Sequence, residues 1–415
     1  MNTHLDDTEE TPPQPFQHVE VERVLANLFP DEGPSFDLAA LFEQRLSELG
    51  ITQSMALEML NMQSRTLKGL LDGTQQRVDF SDIALLASFL HLNQSAVFRA
   101  MAGLMERADP LKAEENRKRG FILQSFDLVR LQKIGFIDSI KDMEHVEARI
   151  KDYFGLDSIY DYNIDASEPA YSSSNRKPKN LLSRTFFRQS AYKRLSRINN
   201  YYPYDREKLK AFIPYIRTYT KDVSKGLYHV TRALFKLGVT VHYHEPVNGA
   251  HIRGATFAVA GKPCIVLVDY TAMYPSLWFA LMHELYHVLF DWDTICQNRY
   301  HITTDADDAD LFKLNEETAN EFSRNYLFGP EKVVRVKPFI SNPGYVEEFA
   351  KSMEMHPSII YAMYCWSNGH GYGKYMRHIP QASDALNALG GNPWQKKKPI
   401  RELMQHLNET IYNNL

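Results

Sequence analysis

At 415 residues the chain has room for two or three domains, each able to bury a core. An apolar fraction of 44% and a charged fraction of 24% are those of a water-soluble globular protein, and a net charge of −4 singles out no partner. Three widely spaced cysteines, Cys264, Cys296 and Cys365, form no CxxC pair, which argues against a thiolate metal site and a disulfide framework and favours a reducing compartment.

The acidic start, Met1–Glu10, lacks the basic and apolar regions of a signal peptide, and the longest apolar run is too short and too polar to span a bilayer. A cytoplasmic location with no membrane partner is the expectation. Residues 1–34, acidic and proline-bearing, read as a disordered arm.

Residues 35–107 read as a compact all-α domain. Leu38, Leu41, Phe42, Leu46 and Leu49 form one apolar stripe. Two short helices then flank a tight turn at Asn61-Met62-Gln63, a helix-turn-helix. The phrase from Thr52 to Gly73, with Ile83–Asn93 behind it, resembles the XRE (Cro/repressor-like) family. That resemblance implies a recognition helix from which Gln63, Ser64, Arg65 and Lys68 reach the major groove of promoter DNA. Two features depart from the pattern: Ala56-Leu57 reverses the usual pair, and Gly69 costs the helix roughly 1 kcal/mol against Ala. With six Lys/Arg against eight Asp/Glu the domain is not basic, so protein contacts or dimerisation remain an alternative use of the motif.

Residues 108–205 read as a helical connector, with helices at Ile122–Asp142 and Val146–Gly155 and a polar loop at Ala166–Asn180. Arg176–Arg197 holds eight Lys/Arg and no acid, interleaved with Phe186, Phe187 and Tyr192. That composition suits a nucleic-acid backbone or an acidic partner, and equally a solvated basic helix paired with acidic segments of the chain.

Residues 206–332 read as an α+β domain. A helix at Lys221–Leu237 precedes strands at Val239–His244, Ala255–Ala260 and Cys264–Asp269, the last two joined as an antiparallel hairpin by Gly261-Lys262-Pro263. An edge strand of that hairpin can pair with an extended substrate. Met273–Phe290 follows as a helix carrying His283-Glu284-Leu285-Tyr286-His287, a HExxH motif. Residues i and i+4 of a helix share a face, so His283 and His287 can hold one ion, with Glu284 placed to take a proton from a water the ion activates. Asp291–Asp310 reads as a surface loop; its Tyr300 and His301 are weaker candidates for an oxyanion donor. A second helix, Asn315–Phe328, offers Glu316 as third ligand and Asn320, one turn on, to orient a histidine, with Glu317 an alternative ligand.

HELYH, with Glu316 29 residues beyond His287 in the NEETANEF stretch, resembles the gluzincin arrangement and, more closely, the ImmA/IrrE family of bacterial and phage zinc metallopeptidases. The likeness extends to Gly238–Tyr243, His251–Ala255, Lys262–Asp269 and Val346–Ile360, about residues 206–366, with Tyr286 and Ser323 where many members have Gly and Ala. It implies one Zn²⁺ per chain on His283, His287 and Glu316, Glu284 as catalytic base, and a specific repressor- or antitoxin-like protein cut in response to stress.

Residues 333–415 read as a helical C-terminal extension, with apolar stripes at Val346–Met353 and Ser358–Trp366 and a glycine-rich turn at Ser367–Lys374 that lacks P-loop spacing; His370 and Tyr372 there are weak cleft candidates. Leu386–Leu415 is expected to cover the domain or form an interface.

The expectation is a multidomain protein: a helix-turn-helix domain, a helical connector, a zincin-like α+β peptidase and a helical extension. It would be a transcription regulator that cleaves a protein partner, a homodimer being compatible with the helix-turn-helix. The alternative is a DNA-binding repressor or antitoxin whose metal site is structural or sensory, and a third reading is an interaction module whose histidines simply lie in the core.

Overall fold

The computed structural model describes residues 37–75, 77–162, 181–269, 271–304, 316–369, 371–391 and 394–412. The expected arm (1–34), the polar loop at 166–180, the acidic segment Asp305–Asp310, His370 and the side chain of Tyr372 lie outside the described residues. The described residues fall into two compact units that divide between Arg117 and Lys118, and no described helix is long and apolar enough to cross a membrane.

The first unit is wholly helical: α1 (Leu38–Leu49), α2 (Gln53–Leu60), α3 (Ser64–Asp72), α4 (Phe80–Phe89) and α5 (Gln94–Ala108). Its start is set by Asp37, whose Oδ1 accepts from the amides of Ala39 and Ala40 at 3.0 Å. Leu38, Phe42, Leu60, Leu67, Leu70, Leu86 and Val97 form a closed core. Asn61 ends α2 in the left-handed conformation (φ 48°), so the turn falls where the sequence places it. Gly69 has a reason to be there: a Cβ would lie 2.7 Å from Gln75 Oε1, where the chain after α3 folds back and the Gln75 amide reaches Gly69 O.

α6 (Pro110–Ser125) carries the division between units. The second unit continues through α7 (Leu128–Lys133), α8 (Met143–Phe154), α9 (Leu181–Leu195), α10 (Arg206–Phe212) and α11 (Gly226–Lys236). One core runs from Ile122 to Tyr412, so the stretch read as a connector shares its core with the domain that follows.

The second half of the basic stretch is largely buried. In α9, Arg188 and Arg194 are buried with Phe186 and Phe187. Arg194 pairs with Glu245 at 2.7 Å and donates to Tyr153 Oη at 2.9 Å. This half of the stretch is largely a core helix and not a solvated face, with Arg197 exposed beyond its end; Arg176, Lys177 and Lys179 lie outside the described residues.

The sheet holds β1 (Thr240–His244), β2 (Ile252–Val259), β3 (Lys262–Val268) and, after α12 (Tyr274–Phe290) and α13 (Trp292–Asn298), β4 (Tyr300–Thr304). The order is β1-β3-β2-β4; β1 runs parallel to β3, and β2 is antiparallel to β3 and β4. The hairpin is present, but its turn is Ala260-Gly261, both at positive φ, and neither of its strands is an edge. The expected loop at 291–310 is corrected to α13 and β4 over 292–304. α12 packs on β2, β3 and α14 (Glu316–Phe328).

The rest of the unit is helical: α15 (Pro330–Val336), α16 (Pro343–Ser352), α17 (Pro357–Asn368), α18 (Tyr372–Tyr375), α19 (Ala382–Leu386) and α20 (Ile400–Leu407). The chain end covers the domain: Leu403, Leu407 and Ile411 are buried, and Tyr412 Oη donates to Val241 O of β1 at 2.6 Å.

Candidate metal centre

α12 is apolar nearly all round and sits between the sheet and α14, which buries its two histidines. His283 and His287 lie one turn apart with their Nε2 atoms at 3.1 Å. Glu316, the first residue of α14, brings Oε2 to 3.1 Å from His283 Nε2 and Oε1 to 3.5 Å from His287 Nε2. One donor atom from each of the three lies within 4.8 Å of the others. Two donors on one tetrahedral zinc, each about 2.0–2.1 Å away, stand about 3.3 Å apart, so the set is of ligand size.

The outer ring nitrogens hold the histidines in place. His283 Nδ1 lies 3.1 Å from Asn320 Oδ1, and His287 Nδ1 lies 2.8 Å from Asp291 Oδ2. Each acceptor draws the imidazole proton to Nδ1 and leaves an Nε2 lone pair facing inward. Two such lone pairs at 3.1 Å repel unless a cation lies between them, and that is the chemistry a metal satisfies. Burial holds the His287 ring below its ordinary basicity, against the opposing pull of Asp291, and so favours the neutral form a metal needs. Burial alone would raise the Glu316 carboxyl, but the adjoining His283 and His301 rings outweigh it and hold the group well below the ordinary carboxylate range.

Glu317, the alternative ligand, points elsewhere and pairs with Arg324 at 3.1 Å. Asp291 is a residue the sequence reading passed over; its signal is the i+4 spacing from His287.

Glu284, between the two histidines in sequence, is fully buried against the sheet. Its Oε2 accepts from Thr256 Oγ1 at 2.7 Å and its Oε1 from Thr303 Oγ1 at 2.8 Å. Gly254 makes the room, since a Cβ there would lie 2.5 Å from Glu284 Oε1. His301, read as part of a surface loop, is instead a buried residue of β4, with Nε2 2.8 Å from Glu316 Oε1.

In the first unit, Gln63, at the N-cap of α3, and Ser64, Arg65 and Lys68 within it are all exposed, while Leu67, Gly69 and Leu70 are buried.

Compared with known protein families, with curated proteins and with solved structures, the chain finds no match.

Proposed function

We propose that this chain is a regulatory protein in which a helix-turn-helix unit is joined to a zinc-dependent peptidase that cuts a specific protein partner. The observation that carries the reading is the convergence of His283 Nε2, His287 Nε2 and a Glu316 carboxylate oxygen within 4.8 Å, with both outer imidazole nitrogens held by acceptors. Zinc bound there would supply Lewis-acid activation of water and of a peptide carbonyl. Asn320 and Asp291 fix the two rings. Glu284 is the base: each oxygen accepts one threonine hydroxyl and keeps a second lone pair, with which the carboxylate takes the proton of the attacking water and passes it to the leaving amine. The sequence resemblance to ImmA/IrrE-like peptidases supports cleavage of one partner over bulk proteolysis. The exposure of Gln63, Ser64, Arg65 and Lys68 supports promoter binding by the first unit.

The test is incubation of the purified chain with proteins encoded beside it. The wild type should cut one of them and Glu284→Gln should not; equal cleavage by both would refute the mechanism.

One observation favours a second reading. Glu284 is fully buried and bonded through both oxygens, as a structural carboxylate would be. On that reading the metal site is structural or sensory and the protein acts as a DNA-binding repressor or antitoxin. Zinc-loaded protein that binds its promoter but cuts no partner would favour it.

A further inference from the structure

β4 is an edge strand of five residues that pairs only with β2 among the described residues. Side chains alternate along a strand, so His301 and Thr303 stand on the same face. Across the ladder Thr256 is opposite His301 and Gly254 is opposite Thr303, and a register shift between Ile252 and Gly254 sets the strand crossing there. All four lie under α12. Thr256, Gly254 and Thr303 enclose the Glu284 carboxylate, while His301 reaches past it to Glu316. His301 is 6% exposed and its ring centroid lies 4.4 Å from that of His287. It is nevertheless outside the group whose donor atoms converge.

We infer that His301 is a positioning residue for the metal ligand Glu316. Its Nε2–H donates to Oε1 at 2.8 Å and leaves Oε2 facing His283 at 3.1 Å. Glu316 needs such a hold. It is the first residue of α14, and its side chain is the most exposed of the three donor groups at 43%, so packing constrains its rotamer less than those of the two histidines. A hydrogen bond from a buried ring adds to that constraint. In general, removing a group that orients a ligand weakens metal binding about 10–100-fold. The inference rests on the proposed metal site, and it makes β4, distant in sequence from the motif helix's neighbours in the sheet, the element that sets the ligand geometry.

The experiment is zinc affinity on the full chain, by competition with a chromophoric chelator, for wild type, His301→Leu, His301→Gln and Thr303→Val. Circular dichroism checks that each variant is folded. Thr303→Val alters the same face of the same strand but touches Glu284, which is not in the ligand group. His301→Leu should weaken zinc binding about 10–100-fold. His301→Gln, whose amide can still donate to Glu316, should recover most of that loss, and Thr303→Val should stay within about threefold of wild type. A folded His301→Leu that binds zinc as tightly as wild type would overturn the inference and leave the metal site standing. Equal weakening by His301→Leu and Thr303→Val would also overturn it, because β4 would then act only as scaffold. A wild type that takes up no zinc would remove the metal reading and this inference together.

Discussion

His287 and Asp291 are one helical turn apart, and the Asp291 carboxylate meets His287 Nδ1 at 2.8 Å across the end of α12. The pair ties the second histidine of the motif helix to the residue that stops the helix, so the orientation of the ring depends on how α12 ends. Asp291→Ala should therefore cost about 10–100-fold in zinc affinity, with the fold intact. Asp291→Asn, which keeps an acceptor, should cost less. Chelator competition measures both; unchanged affinity in Asp291→Ala would mean that packing alone holds the ring.

The ion pair of Arg194 and Glu245 lies in the core, with neither side chain more than 6% exposed. Removing one partner leaves a buried charge unpaired, so Glu245→Gln or Arg194→Met should each destabilise the second unit by about 3–5 kcal/mol. The double change should cost less than the sum of the two. Urea unfolding followed by tryptophan fluorescence reads this out. A loss under about 1 kcal/mol for both single changes would mean that the pair is solvated.

β1 buries His242 and His244. Burial and the nearby Arg194 charge push both rings well below their ordinary basicity. His244 is held between Ser190 Oγ (2.7 Å) and Glu245 O (2.7 Å), whereas His242 Nε2 has no partner among the described residues. Both rings stay neutral in the folded state while the unfolded chain gains protons below about pH 6.5, so their contribution to stability is complete above that pH and falls below it. Each ring contributes a slope approaching about 1.4 kcal/mol per pH unit. Unfolding midpoints should drop between pH 7.5 and 5.5, and His242→Leu should flatten the fall; an equal fall in the variant would place the effect elsewhere.

For the first unit, the exposed residues of α3 set the expectation. Arg65→Ala and Lys68→Ala should each weaken promoter binding, by about 1–3 kcal/mol where the side chain reads a base, and a lost phosphate contact should also shallow the salt dependence. Gel shift on the chain's own upstream region measures this. Wild-type protein that shifts no such fragment would assign the helix-turn-helix to protein contacts.

What the sequence made legible follows from local rules. The two histidines and Glu284 sit on a helix whose period is plain, and Glu316 and Asn320 sit one turn apart on another, so the residues that converge at the candidate site, and one neighbour that holds them, could be read directly. The turn at Asn61 and the exposed residues of α3 were legible for the same reason. The rest depends on long-range pairing. Tyr300–Thr304 carries strand-like alternation, but at five residues beside an Asp-rich segment it reads as loop, which hid His301 and Thr303. The parallel pairing of β1 with β3 leaves no local trace. Arg188 and Arg194 misled because charge in a sequence signals solvent, and only the fold brings Glu245 and Tyr153 to Arg194.

The most direct test of the proposed site is zinc content, measured by mass spectrometry on protein purified without added metal, for wild type and Glu316→Ala together. The proposal predicts about one zinc per wild-type chain and much less in the variant. Zinc retained equally by Glu316→Ala, or a wild type that neither carries nor takes up metal, would contradict it.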